Sequence, residues 1–247
     1  MYSIDDFSVE SVILRLKQLE TSIGDIYESL PNTVGCMQSI EDKTNSCGAW
    51  CCDEQSPSVW FCEFLNTLTS FIFRMDPNDF SKMIEMCLKK YLLIYKGNGC
   101  VFWDSDTKLC KQHKTRPINC YFYGVTPQED FEPRYERLKV LNNEVKPQCD
   151  RISLEDGAVC MSKELIDVSF DKMKKIEGEI GVPERFLNDD QGGSYRSYSE
   201  HILLWLLGED QMCNLSVIRS SSPILEKKKL VATICENLST SLVDNGR

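Results

Sequence analysis

Residues 56–99 read SPSVWFCEFLNTLTSFIFRMDPNDFSKMIEMCLKKYLLIYKGNG. Two helix-start signals lie inside this stretch. Ser56-Pro57 and Asp76-Pro77 each set a capping side chain ahead of a proline, which fits the first turn because its missing N–H has no partner there anyway. After the first signal, Trp60, Phe61, Phe64, Leu65, Leu68, Phe71 and Ile72 recur at helical spacing. After the second, Phe80, Met83, Ile84, Cys87, Leu88 and Tyr91 do the same, and Gly97-Asn98-Gly99 supplies the stop. The stretch therefore predicts two consecutive amphipathic helices. Cys62 and Cys87 fall on or beside their apolar faces and read as small core residues.

The same grammar extends in both directions. Upstream, Val9, Val12, Leu16, Leu19, Ile23, Ile26 and Leu30 alternate in steps of three and four, a heptad seam closed by Pro31. Such a seam packs on its own chain or pairs in a homodimer through the 9–30 helix. Downstream, a helix is expected around 130–142. Another is marked by Ile166, Phe170, Met173, Ile176 and Ile180 and ended by Gly181 and Pro183. Ser197 and Glu200 have capping-box spacing before His201 to Leu207. Ser222-Pro223 opens a last helix with Ile224, Val231, Ile234 and Leu238 on one side and Lys227, Lys228 and Lys229 on a solvated face. Strand signals are weak. The expected class is mainly α: helices around irregular cysteine-rich metal-binding loops, with little or no sheet. The expected division is an N-terminal amphipathic helix (1–31), a cysteine-cluster domain (32–160) and a C-terminal helical region (161–247).

Charge narrows the function. The chain carries 28 Lys and Arg against 38 Asp and Glu, a net of −10. Nucleic-acid binding needs a basic footprint, so it is not expected. An anionic membrane surface is disfavoured on the same ground. The longest apolar run, Ile202 to Leu207, is far short of the roughly 20 residues a bilayer demands. The first ten residues show no basic and then apolar leader. The expected location is cytoplasmic.

Thirteen cysteines then require an explanation. An odd count in a long chain without a secretion signal does not read as a disulfide framework. Metal ligation is the alternative. One cluster is Cys36, Cys47, Cys51 and Cys52 in a loop rich in Asn, Thr, Ser and Gly. A second runs through Cys100, Cys110 and Cys120, and Cys149 follows. Thiolates are soft anionic ligands that suit zinc and iron in sulfide clusters, and four close a site. Structural zinc modules draw on short Cys-x2-Cys knuckles, and this chain has none. Scattered single cysteines favour an iron–sulfur cluster, of the 4Fe-4S kind, one or two in number, with zinc as the alternative. Eight candidate thiols match two four-cysteine sites or one site with spectators. The two-cluster ferredoxin run and the radical-SAM spacing are both absent; Glu54 stands three residues after Cys51. No Walker loop or Gly-x-Gly-x-x-Gly is present.

Between Cys110 and Cys120 lie Lys111, His113, Lys114 and Arg116, a basic island in an acidic chain. Cations beside thiolates favour their charged form. Cys47-Gly-Ala-Trp-Cys51-Cys52, Cys100, Cys110 and Arg116-Pro117-Ile-Asn-Cys120 together resemble the YkgJ-type cysteine-cluster family of zinc- or iron-chelating proteins, over about residues 36–150. Three residues rather than two separate Cys47 from Cys51, and Tyr121 stands where the family carries a basic residue. The resemblance implies metal binding by these cysteines and implies no reaction. A similar cysteine arrangement occurs in flagellin lysine N-methylases, which keeps a methyltransferase-like enzyme with a structural metal as an alternative. A zinc-stabilised interaction module is the other.

Two histidines complete the inventory. His113 reads as a cation or hydrogen-bond donor near the cysteines before it reads as a ligand. His201 reads as a helix-start histidine packed locally before a catalytic one. Asp189-Asp190 reads as a polar turn. No residue is singled out as catalytic, and no redox or protein partner can be named.

Overall fold

A computed structural model describes residues 9–30, 56–93, 99–104, 106–107, 109–122, 162–182 and 194–244. Among these residues the protein is mainly helical, with seven α-helices and two short two-stranded sheets. The helices are α1 (Val9–Glu28), α2 (Phe61–Ser70), α3 (Pro77–Leu93), α4 (Ile118–Phe122), α5 (Lys163–Glu179), α6 (Tyr198–Ser221) and α7 (Ile224–Asp244). The strands are β1 (Ser58–Val59), β2 (Trp103–Asp104), β3 (Leu109–Cys110) and β4 (Arg196–Ser197). The helix expected around 130–142 lies outside the described residues.

The described part of the α1 seam packs inside the chain. Leu19, Ile23, Ile26 and Leu30 are all buried, and α1 packs on α2 and α5. One apolar core joins these residues to α3, α6 and Val231 of α7. Material from all three stretches of the expected division therefore shares a single core.

The first helix-start signal is displaced. Ser56-Pro57 leads into an extended pair, with Ser58 opposite Ser197 and Val59 opposite Arg196. The helix begins only at Phe61, and Trp60 is its N-cap rather than a member of its apolar face. Glu63, at the third helical position, accepts the Trp60 N–H at 3.0 Å. An acceptor there satisfies a donor that the helix itself cannot, so the carboxylate fixes the start. The helix also stops early, at Ser70, and a 3-10 turn over Ile72–Arg74 redirects the chain toward Pro77.

The other signals act where they stand. Asp76 Oδ1 accepts the Asn78 N–H at 2.8 Å ahead of α3, whose Met83, Ile84, Cys87, Leu88 and Leu92 are buried. Ser162 Oγ accepts the Leu165 N–H and starts α5. Gly181, at φ 89°, ends it, and the Val182 N–H closes back onto the Glu177 carbonyl. The Ser197–Glu200 box is reciprocal: Ser197 Oγ accepts the Glu200 N–H, and Glu200 Oε2 accepts the Ser197 N–H. Ser222 caps α6 and Pro223 precedes α7. Ile224, expected on the apolar side of α7, is exposed instead, because α7 contacts α3 further along, around Val231.

Gly208 breaks α6 in the middle, with φ 74° and ψ 173°. No atom lies within 4 Å of where a Cβ would sit, so the demand is conformational and not spatial. Alanine at 208 should lower stability by about 2 kcal/mol, the usual cost of holding an L-residue in that region. Urea unfolding measures it, and an unchanged midpoint would show that the break is not required.

Candidate metal centre

The second cysteine segment forms a small unit after α3. Cys100 opens it, with its carbonyl accepting the Trp103 N–H at 3.0 Å. β2 and β3 then pair as a hairpin, with Trp103 opposite Cys110 and Asp104 opposite Leu109. At the hairpin turn Asp104 Oδ1 accepts the N–H groups of Asp106 and Thr107 at 2.9 and 3.0 Å, which hold that carboxyl below its ordinary range. The Lys111 N–H donates to the Phe102 carbonyl and extends the pairing. A 3-10 turn over His113–Thr115, then Arg116-Pro117, leads into α4, which carries Cys120. Pro117 does two things: it sets the chain direction, and its carbonyl accepts the Cys120 N–H at 2.8 Å.

Buried polar contacts fasten this unit to the helices. Glu63 Oε1 accepts the Ile118 N–H at 2.6 Å and the Tyr27 hydroxyl at 2.8 Å. One carboxyl group thereby ties α1, α2 and α4 together. Burial pushes it up to about 7, against the pull of its three donors. Gln112 donates to Thr67 Oγ1 and to the Thr115 carbonyl, and reaches the Tyr198 hydroxyl at 3.3 Å. Asn119 donates to the Ser58 carbonyl and to the Tyr195 hydroxyl. Phe102 sits edge-on to Phe71 and to Tyr198, with centroids 5.5 and 4.9 Å apart.

Cys100 is buried, and Cys110 and Cys120 are half-buried. All three belong to this one fastened unit. Among the described residues, however, no group of three or more His, Cys, Asp or Glu side chains is arranged to hold a metal ion. The three sulfurs are soft donors of the right chemistry but do not make a site by themselves. A closed site needs ligands from the other segments. Cys36, Cys47, Cys51, Cys52 and Cys149 lie outside the described residues, as does Asp189-Asp190.

Arg116 is the most informative neighbour. Its residue is only 7% exposed. Its guanidinium lies over the Tyr121 ring at 4.1 Å and against the His113 ring, with Nη1 to Nδ1 at 3.0 Å. Tyr121 stacks in turn on Tyr27, centroids 4.9 Å apart. Arg116 Nε is buried without a hydrogen-bond partner, and among the described residues no carboxylate pairs with the guanidinium. Nη1 also lies 2.5 Å from Nε2, and since a guanidinium only donates and a neutral imidazole has one acceptor, only one of the two ring nitrogens can accept from it.

Two further cysteines, Cys62 and Cys87, and the second histidine, His201, lie in the core. Cys62 and Cys87 are fully buried, as expected of core residues. Burial pushes the Cys62 thiol far up and the Cys87 thiol to about 12. Cys62 Sγ lies 3.9 Å from Met173 Sδ. His201 is packed locally: Nε2 is 3.1 Å from the Val59 carbonyl oxygen and the ring stacks on Phe64 at 5.1 Å. Burial holds it down to about 4, so it is neutral.

Sequence reading passes over the buried polar side chains. Glu63, Glu177, Gln112 and Tyr198 look like ordinary members of amphipathic segments. Glu177 is fully buried, accepts the Cys62 N–H at 3.0 Å and is pushed up to about 7 by burial. The spacing of Trp60 and Glu63 is the one signal that could flag any of these four. No family model matches the chain, and no curated protein or solved structure matches it.

Proposed function

We propose that this chain holds an iron–sulfur cluster through thiolates drawn from Cys36, Cys47, Cys51, Cys52, Cys100, Cys110, Cys120 and Cys149, and works in electron transfer or redox chemistry. The observation that carries this reading is Arg116. A buried cation with no carboxylate partner is costly unless an anion reaches it. In a segment carrying three cysteines, thiolate-ligated metal is the anionic group the chemistry offers. When bound, such a cluster supplies one-electron exchange, at a potential set by net charge, hydrogen bonds to sulfur and exposure.

The chain's own residues have separate tasks in this reading. Arg116 offsets the negative charge of the ligands. The Tyr27–Tyr121 stack covers one side of Arg116 against water. Glu63, Gln112 and Asn119 hold the 99–122 unit rigid, so that its sulfurs keep their positions when the charge changes. A reducing cytoplasm suits the thirteen cysteines.

Zinc in a structural role is the second reading, supported by the family resemblance and weakened by the missing Cys-x2-Cys knuckle. The methyltransferase alternative has no S-adenosylmethionine glycine motif behind it.

Protein purified without oxygen should be coloured, contain iron and acid-labile sulfide, and bleach on reduction. The double variant Cys110→Ser with Cys120→Ser should lose most of the iron while Cys62→Ser keeps it. Colourless protein with stoichiometric zinc would replace the first reading by the second. Protein free of both metals would reject both.

A further inference from the structure

Five large apolar side chains stand exposed among the described residues: Phe73, Val168, Val217, Ile224 and Leu225. Three of them belong to the helix turns on either side of Pro223, where α6 passes into α7. Val217 is 63% exposed, Ile224 62% and Leu225 62%. Charge concentrates at the same place. Residues 216–230 carry Arg219, Lys227, Lys228 and Lys229 against Glu226, in a chain whose net charge is −10. Lys227 and Arg219 are partly engaged: Lys227 Nζ donates to the Arg219 carbonyl at 2.6 Å, and the Arg219 guanidinium lies 4.9 Å from the Tyr91 ring centroid. Lys228 and Lys229 are exposed.

The spacing joins the two features. Lys228 follows Ile224 by four residues and Lys229 follows Leu225 by four, so each exposed aliphatic side chain has an ammonium one turn behind it on the same helix face. We propose that this α6–α7 junction docks on an anionic lipid surface, with Ile224 and Leu225 entering the headgroup layer and Lys228 and Lys229 over its phosphates. The inference is independent of the metal reading.

An acidic protein would satisfy the same charges, but the composition favours lipid. Protein interfaces are enriched in aromatic residues and Arg and depleted of Lys, and their anchors fill pockets. The junction offers aliphatic residues and lysines, which act as solvated point charges suited to a diffuse anionic surface. The chain-wide negative charge does not forbid this. At physiological salt the Debye length is about 8 Å, so charges near the contact dominate. Among the described residues no helix is long and apolar enough to cross a membrane, and the proposed contact needs none.

The test is co-sedimentation with vesicles. The full chain should sediment with equimolar phosphatidylcholine and phosphatidylglycerol, stay in solution with phosphatidylcholine alone, and be released by salt. Lys228→Glu with Lys229→Glu should weaken binding by about tenfold or more. The same charge change on α5, Lys172→Glu with Lys174→Glu, should leave binding within about twofold, since α5 packs on α1 and α2 and charges beyond a Debye length are screened. Ile224→Ser with Leu225→Ser should weaken binding while keeping its salt dependence. Circular dichroism verifies that each variant retains its helix content. Absence of sedimentation with the mixed vesicles overturns the proposal and leaves the patch to an acidic protein. Equal weakening by the α5 pair overturns it too, since the attraction would then be general.

Discussion

Alanine in place of Glu63 lowers folding stability by about 4 kcal/mol, measured as a fall in the urea midpoint. The carboxyl group accepts from the Trp60 N–H, the Ile118 N–H and the Tyr27 hydroxyl, all inside the protein. Each abandoned buried donor costs about 1–3 kcal/mol, and some of this is recovered where water enters the space left behind. Loss should not be confined to one helix, because the three donors belong to separate parts of the chain. Above pH 7, where the Glu63 carboxyl is ionised, Gln at 63 retains the shape and one acceptor, but its amide nitrogen meets a donor with a donor. It should cost about 1–3 kcal/mol, clearly less than Ala. A cost below about 1 kcal/mol for Ala would mean that these hydrogen bonds are not what ties the 99–122 unit down.

Stability should fall as pH rises from 5 to 8, opposite to the ordinary behaviour of carboxylates held in ion pairs. Burial pushes Glu63 and Glu177 up to about 7, against 4.5 in the unfolded chain. The folded chain therefore binds protons that the unfolded chain has released. That contribution is complete below 4.5 and is lost as pH rises through 7. His201 acts in the other direction. Burial brings it down to about 4 from 6.5, so its contribution is complete above 6.5 and is lost as pH falls through 4. At pH 5 the two carboxyls outweigh the one imidazole, and the net gain over pH 8 is about 3 kcal/mol. Urea unfolding at the two pH values measures it. Glu63→Gln combined with Glu177→Gln should flatten or reverse the slope, because only the histidine is left to titrate. Higher stability at pH 8 in the parent protein would mean that both carboxyls are ionised in the fold.

Much of the helical scaffold is legible in the residues themselves. Asp76-Pro77, Ser197 with Glu200, Gly181 and Ser222-Pro223 all act where their chemistry places them, since a cap or a positive φ is a local event. Ser56-Pro57 carries the same kind of signal yet yields to a long-range pairing, Val59 with Arg196, which no local pattern announces. The seam of α1 is legible as an apolar stripe, but periodicity says only that a surface must be covered. What covers its described residues here is α2 and α5 of the same chain.

The candidate site divides in the same manner. Cysteine chemistry and the Arg-Pro-x-x-Cys element can be read directly, and they suggest a soft-metal ligand set. That Cys100, Cys110 and Cys120 sit on one fastened unit follows from the β2–β3 register and from Glu63, Gln112 and Asn119. Each of those polar side chains reaches its partner across a large sequence separation.

Sequence by itself determined that the chain is mainly helical, that Cys62 and Cys87 belong to the core, and where several helices stop and start. Those properties depend on hydrophobic period and on capping within a turn or two. Tertiary structure alone decided that Arg116 is buried without a carboxylate partner among the described residues, that Glu63 and Glu177 share the interior with a neutral His201, and that Ile224 and Leu225 are left exposed beside lysines. Burial is a property of everything packed around a residue, and electrostatic cost follows burial rather than residue type.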